Sequence, residues 1–195
     1  MNSDTTASVS FLERLRNETT DAHTALERIP VSAAILKPEV TKEEYADYLK
    51  LMFEVVSALE TEVHPKISTI ISDLSDRKKA KDLANDLSHI GGTIPLDGKN
   101  PFETTNDKAF NLGIAYVVEG STLGGRFILK NIQANLGLDE NAGATYFAGY
   151  GNKTGSMWKS FLNEMTGFAS KTNSENQIIA GANHAFEAIH KHLSA

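Results

Sequence analysis

Hydrophobic residues recur along most of the chain at the three- and four-residue spacing of amphipathic helices, and no stretch alternates as a strand would. Two helix starts are marked in the sequence. Ser10 followed by Glu13, and Thr41 followed by Glu44, have the form of a capping box, in which a hydroxyl and a carboxylate bind free amides of the first turn. The pattern predicts an all-α fold.

The predicted helices are separated by loops. Gly91 to Pro101 is the longest clear loop, and Gly137 stands where the end of a long helix favours glycine. We expect a single-domain helical bundle over 10–195, preceded by a flexible N-terminus at 1–9. The expected helices run from Ser10 to near Pro30, from Thr41 to Pro65, and over about 66–74, 76–90, 106–136, 156–170 and 176–193.

Length and composition narrow the class of protein. A chain of 195 residues, 41% hydrophobic and 23% charged, can bury the core of one globular domain. The absence of cysteine excludes disulfides, thiolate ligands and thiol nucleophiles. A net charge of −6 argues against nucleic acid as the main partner. The N-terminus does not resemble a signal peptide and no apolar run could span a membrane, so we expect a cytoplasmic protein.

The long predicted helix contains an unusual run of glycines, in Gly120-Ser121-Thr122-Leu123-Gly124-Gly125. Each glycine inside a helix costs about 1 kcal/mol relative to alanine. With Gly113, two of these glycines share one face of the helix. A face without side chains lets a broad, flat ligand approach the backbone, but it equally allows close helix packing or a kink. The pattern alone leaves both interpretations open.

His23 lies on the apolar face of the first predicted helix, with Arg16 seven residues before it and Glu27 four residues after it. All three can share one side of that helix. An imidazole that binds a metal through one nitrogen needs a partner for the other nitrogen, and Glu27 is placed to provide it. Arg16 could bind a carboxylate at the edge of a flat ligand. A histidine buried in the core is the alternative.

Two segments resemble those of a known family. Residues 15–27, LRNETTDAHTALE, resemble the proximal helix of haem (heme) oxygenases, and residues 116–125, YVVEGSTLGG, resemble their kinked, glycine-rich distal helix. The form of the second segment is typical of bacterial, biliverdin-producing members. The resemblance extends over about residues 10–193, since helix order, length and the separation of the two segments also agree.

The resemblance implies a role for particular residues in binding haem. His23 would be the axial ligand of the haem iron, and Glu27 would orient its ring. Arg16 matches a basic position that contacts a haem propionate, and Lys159 matches a second such position less closely. Phe186, in the last helix, would help to form the wall of the pocket.

On the other face of the haem, the resemblance places the backbone of Gly120, Gly124 and Gly125. Gly120 and Gly124 would direct dioxygen to one meso carbon. Ser121 stands where many family members have an aspartate that anchors a water network. Its hydroxyl can organise water but carries no charge, so the details of oxygen activation must differ.

The implied activity is oxidative cleavage of haem to biliverdin, carbon monoxide and ferrous iron, with haem as both substrate and cofactor. Dioxygen and an electron-donating reductase or ferredoxin are required, and a bilin-using photoreceptor could receive the product. A haem-binding or haem-trafficking protein of the same fold is the main alternative. A helical di-metal protein is a further alternative, but only Glu187 and His190 have the spacing of its metal ligands. A helical interaction module without a ligand is another, and it does not explain the glycines within the long helix.

The remaining basic residues have no assigned chemistry. We expect them at the surface or, for His64, at a helix end: Arg77, Lys78, Lys79, Lys81, His64, His89, His184, His190 and His192.

Overall fold

The computed structural model describes residues 10–95 and 98–195, so the predicted flexible segment 1–9 lies outside the described residues. Within them the chain forms eight α-helices and no strand, which confirms the predicted all-α fold. The helices are α1 (Phe11–Glu27), α2 (Pro30–Ala34), α3 (Lys42–Ala58), α4 (His64–Ile67), α5 (Ala80–His89), α6 (Lys108–Leu136), α7 (Thr154–Thr172) and α8 (Glu175–Leu193).

The predicted caps are present at three helix ends. The Ser10 hydroxyl accepts a hydrogen bond from the Glu13 amide, and at Thr41 both halves of the capping box form with Glu44. Gly137 ends α6 in the left-handed region, with φ of 68°. These signals are local, which is why the sequence alone could identify them.

The region around Pro65 differs from the prediction. The helix does not end there; α3 passes into a π-helical turn, Leu59–Val63, and Pro65 lies in the first turn of α4. Proline is tolerated in that position because the first amides of a helix have no partner within the helix. The predicted helix at 66–74 is reduced to the end of α4, followed by a 3-10 turn at Leu74–Arg77.

One cluster of buried hydrophobic residues draws on seven of the eight described helices, and Val31 of α2 packs against it. Helix α6 packs closely against α8. Glycines make this contact possible. A Cβ atom at Gly113 would collide with the Ile178 carbonyl, and one at Gly181 would collide with the Phe110 carbonyl. Close helix packing, rather than a flat ligand, therefore explains Gly113.

Several residues expected at the surface are buried or paired. Arg77 and His64 are 2% and 5% exposed. His192 lies 3.0 Å from a Glu54 carboxylate oxygen, and the Nε2 atom of His184 accepts a hydrogen bond from the Glu103 amide. The surface prediction is wrong for Arg77, His184 and His192, which have partners distant in sequence. His64 lies at a helix end as expected, since α4 begins there, but it is buried. No helix in the described part of the chain is both long enough and apolar enough to cross a bilayer.

Candidate functional site

A cavity of about 400 Å³ lies between α1, α6 and α8, with further walls from α3 and α7. This volume is within the range of small-molecule sites in proteins. Of the residues predicted to form a site, Arg16, His23, Gly120, Ser121 and Phe186 all line it. Its apolar walls include Leu26, Met52, Val117, Val118, Ile189 and Leu193.

Helix α1 provides one wall of the cavity. Leu15 is fully buried and anchors an adjacent face of the helix in the core, while Arg16 and His23 line the cavity. The His23 and Phe186 rings pack in a T-shaped arrangement, with centroids 5.7 Å apart and planes at 84°. The imidazole is 58% exposed, rather than buried, because it borders the open cavity.

Glu27 lies beside the imidazole but outside the cavity wall. Its Oε1 atom is 3.8 Å from Nδ1 of His23, which is too long for a direct hydrogen bond. The geometry nevertheless puts the carboxylate on the Nδ1 side of the ring. Nε2 is therefore the nitrogen available to a metal.

Helix α6 provides the opposite wall, through Gly120 and Ser121. A Cβ atom at Gly120 would lie 3.4 Å from the Trp158 ring, which also borders the cavity. The Ser121 hydroxyl donates its single hydrogen to the Val118 carbonyl, at 2.7 Å. Ser121 can therefore accept a hydrogen bond from water in the cavity, but it has no second hydrogen to donate.

The two remaining glycines of the motif lie in different surroundings, and neither is among the described residues that line the cavity. A Cβ atom at Gly124 would meet no described atom within 4 Å. One at Gly125 would lie 2.7 Å from the Phe147 carbonyl oxygen. Gly125 therefore allows the 3-10 turn Tyr146–Ala148 to pack on α6, which corrects the expectation that it faces the ligand.

A buried ion pair holds the Gly120 wall from behind. The Arg77 guanidinium donates to Glu119 at 2.7 Å, to Asp73, and to the Met157 carbonyl at 3.0 Å. The second oxygen of Glu119 accepts from the Tyr150 hydroxyl at 2.8 Å. Burial raises the pKa of Glu119, and the charge of Arg77 and the Tyr150 hydrogen bond oppose that rise.

Arg77 binds the residues that precede two residues of the cavity wall. Its partner Glu119 comes directly before Gly120, and its partner Met157 comes directly before Trp158. The sequence contained one indication of it, a glutamate within the apolar run that leads to Gly120. A buried carboxylate requires a partner. Arg77 could not be chosen as that partner from a run of four basic residues between 77 and 81.

Arg16 supplies positive charge at the cavity. Arg16 and Tyr116 both line the cavity. Burial raises the pKa of the Tyr116 hydroxyl, and the nearby charge of Arg16 opposes that rise. Lys159 is exposed on α7 and lies outside the cavity lining. An apolar space with one cation and one free imidazole nitrogen suits a flat, apolar ligand that carries a carboxylate and a metal.

The metal-ligating side chains at the cavity suit a metal that is already held by another ligand. Within 10–95 and 98–195, no three histidine, aspartate or glutamate side chains come together to hold a metal ion. The alternative of a carboxylate di-metal site therefore has no cluster in this part of the chain. His23 is a single donor and fits a metal held by a macrocycle.

Comparison with known proteins agrees with this geometry. A family model described as heme oxygenase matches residues 9–195. Heme oxygenase PigA of Pseudomonas aeruginosa is 28% identical over 189 residues, which cover 94% of this chain and 93% of that protein.

Solved structures show the same fold. The NO- and CO-bound heme oxygenase of Neisseria meningitidis is 26% identical, with a TM-score of 0.80 over 95% of this chain and 91% of that one. Heme oxygenase-1 of Synechocystis, solved in complex with heme, is 20% identical, with a TM-score of 0.72 over 95% and 91% of the two chains. Because the family model covers nearly the whole sequence, this chain belongs to the haem oxygenase family.

Proposed function

We propose that this haem oxygenase binds haem in the cavity between α1 and α6, with His23 on the iron, and converts it to biliverdin, carbon monoxide and ferrous iron. One observation carries the proposal. A single imidazole with a free Nε2 and the bare backbone of Gly120 line the same apolar cavity from different helices.

His23 would hold the haem iron through an imidazole nitrogen, and its surroundings fix the orientation of the imidazole ring. The Phe186 contact restricts rotation, and the Glu27 carboxylate on the Nδ1 side favours a proton on that nitrogen. A neutral histidine donates less electron density than a thiolate, which favours reaction with the ring over early cleavage of dioxygen. Bound haem supplies the iron centre at which dioxygen is activated.

Arg16 would orient the haem in the cavity. Its guanidinium could bind a propionate in a bidentate manner, and its position beside Tyr116 would then favour one rotation of the macrocycle. Lys159 is a candidate for a second contact only if a propionate extends beyond the cavity wall. Gly124 leaves open space on α6 next to that wall.

Ser121 holds water by accepting a hydrogen bond, since its own hydrogen is bound to the Val118 carbonyl. That water can then donate its other hydrogen into the cavity. Burial raises the pKa of the nearby Tyr146 hydroxyl to about 12. Tyr146 therefore remains protonated at neutral pH, which keeps this wall uncharged where many family members have an aspartate.

The test is turnover of bound haem. Hemin is titrated into the protein, a reductant is added in air, and the products are separated by chromatography. We expect loss of the haem absorbance and formation of a bilin in the wild type, and little bilin from His23→Ala. Stoichiometric haem binding without any bilin would instead support the alternative, a haem-binding or haem-trafficking protein.

The electrons come from a partner protein, a reductase or a ferredoxin, in a cytoplasmic setting. The bilin product could pass to a photoreceptor or be discarded after iron release. These partners are part of the proposal and do not affect the test above, which a chemical reductant can drive.

A further inference from the structure

A short segment, residues 145–151, lies against the back of the cavity wall that α6 forms. We call this segment the distal strap. Its end is joined to α6 by two hydrogen bonds. The Tyr150 hydroxyl donates to Glu119 at 2.8 Å, and the Arg126 guanidinium donates to the Gly151 carbonyl at 2.9 Å. Because Glu119 and Arg126 flank the glycine motif, the strap is attached to the helix on both sides of that motif.

Backbone contacts lie between these two points of attachment. A Cβ atom at Gly125 would lie 2.7 Å from the Phe147 carbonyl oxygen, and one at Gly149 would lie 3.6 Å from the Thr122 carbonyl oxygen. The strap and the helix therefore approach each other closely through backbone atoms. Along this part of α6, the residues that contact the strap alternate with those that line the cavity. A displacement of the strap would therefore move the cavity wall.

The distal strap also meets the wall that α3 contributes. The Phe147 ring is stacked on the Tyr48 ring, with centroids 6.0 Å apart and planes at 28°, and Tyr48 lines the cavity. Tyr146 packs against the same phenylalanine in a T-shaped arrangement, at 5.2 Å and 72°. The strap is thus in contact with cavity walls from two different helices.

Asp86 of α5 holds the start of the strap. Its two carboxylate oxygens accept hydrogen bonds from the successive amides of Thr145 and Tyr146, at 2.9 and 2.8 Å. Both oxygens act as acceptors, which is the arrangement of an ionised carboxylate. Asp86 is 1% exposed, and burial raises its pKa, while the amides of Tyr146 and Thr145 oppose that rise. The strap amides, rather than a basic side chain, therefore stabilise this buried carboxylate.

We propose that Asp86 is a positioning residue for haem cleavage: by binding two amides of the distal strap, it fixes the backbone at Gly120 relative to bound haem and so narrows the choice of meso carbon. This inference rests on the proposed function, because it assumes haem in the cavity. Asp86 is not among the described residues that line the cavity, so it acts through the strap and α6.

The test replaces the carboxylate by an uncharged group of the same shape, in Asp86→Asn, on the full-length protein. This variant keeps one acceptor oxygen, so one strap amide loses its partner. Loss of a hydrogen bond to a charged group should speed hydrogen exchange of the strap amides about ten- to a hundredfold in the ligand-free protein. Exchange followed by mass spectrometry measures this rate. We expect faster exchange also at 119–126 of α6, but not in α3.

The distribution of bilin isomers gives the second measurement. The variant is loaded with hemin and reduced with ascorbate in air, and the bilin isomers are separated by chromatography. We expect the ratio of minor to main isomers to rise about tenfold, because a displacement of about 1 Å at a reacting site can change a rate a hundredfold. A residue that only stabilises the fold would leave this ratio unchanged below the melting temperature.

Two further variants sharpen the test. Gly125→Ala displaces the strap from its α6 side, because the added methyl group meets the Phe147 carbonyl, and it should also raise the share of minor isomers. Asp107→Asn is the matched control. Asp107 likewise accepts a hydrogen bond from a backbone amide, that of Ala109 at the start of α6, and asparagine caps a helix as well as aspartate does. This control should keep the wild-type isomer ratio.

Four results would overturn the positioning role of Asp86. They are a wild-type isomer ratio in Asp86→Asn, faster exchange confined to the strap, an equal change of isomer ratio in Asp107→Asn, and an Asp86→Asn chain that does not fold, which would make the residue purely structural. A wild type that binds hemin but forms no bilin would refute the proposed function instead. Hydrogen exchange would then still measure whether Asp86 is linked to α6.

Discussion

The two walls of the cavity differ in how they are held. On α1, the side chains of His23 and Glu27 are 58% and 63% exposed, and their closest approach is 3.8 Å. Behind α6, Glu119 is 4% exposed and its partner Arg77 is fully buried, joined at 2.7 Å. The His23 imidazole is thus open to the cavity, while the geometry of the opposite wall depends on an ion pair that does not line the cavity.

This difference separates binding from positioning. Replacing a residue on α1 should change what the cavity binds and leave the fold intact. Replacing a residue behind α6 should loosen the fold and shift Gly120 and Trp158 together. The predictions below test this distinction, from the largest expected effect to the smallest.

Breaking the ion pair should have the largest effect. Arg77→Met leaves Glu119 buried without its charge partner, and loss of one member of a buried pair costs about 3–5 kcal/mol of unfolding free energy. Urea denaturation measures this value. Arg14→Met is the control, because Arg14 pairs with Glu175 at the surface and such pairs contribute at most about 1 kcal/mol.

Adding Glu119→Leu to Arg77→Met should recover part of the loss, because the unpaired charge is then removed as well. Equal losses of unfolding free energy in Arg77→Met and Arg14→Met would show that the buried ion pair behind α6 contributes no more to stability than the surface pair does.

Acid should lower the unfolding free energy of the protein through the buried His64. Burial, together with the charges of Lys78 and Arg77, lowers the pKa of His64 to about 4. The unfolded chain takes up this proton near pH 6.5 and the folded protein does not. Stability is therefore complete above pH 6.5 and falls between pH 6.5 and 4, by about 3 kcal/mol.

The measurement is the unfolding free energy of the ligand-free protein at several pH values. His64→Leu should remove this part of the acid sensitivity. A wild-type slope retained in full by His64→Leu would assign it to other groups.

Substitutions at the neighbouring glycines Gly124 and Gly125 should give the smallest change in unfolding free energy. Gly125→Ala places a methyl group 2.7 Å from the Phe147 carbonyl oxygen and should cost about 1–3 kcal/mol. Gly124→Ala meets open space and should gain up to about 1 kcal/mol from helix propensity. Thermal unfolding of the two variants measures the difference, and equal melting temperatures would contradict the separate roles of these neighbours.

Local signals in the sequence were sufficient for much of the fold and for part of the site. The Thr41 cap, the Gly137 terminus and the shared location of His23, Arg16 and Gly120 at one cavity all agree with the structure. These features depend on spacing within one helix or on family resemblance.

Other features could not be predicted, because they depend on residues far away in sequence. Glycine has the same cost in a helix whether a ligand or another backbone lies opposite, so Gly113 and Gly125 were grouped with Gly120. Arg77 is buried only because Glu119 and Asp73 are present to receive its charge.

The central claim is that Nε2 of His23 binds the iron of haem in this cavity. Resonance Raman spectroscopy of the ferrous haem complex tests it most directly, through the iron–histidine stretching band. We predict a band that shifts on ¹⁵N labelling of histidine, is lost in His23→Ala and returns when free imidazole is added. An unchanged, isotope-sensitive band in His23→Ala would show that another histidine is the ligand and would contradict the account.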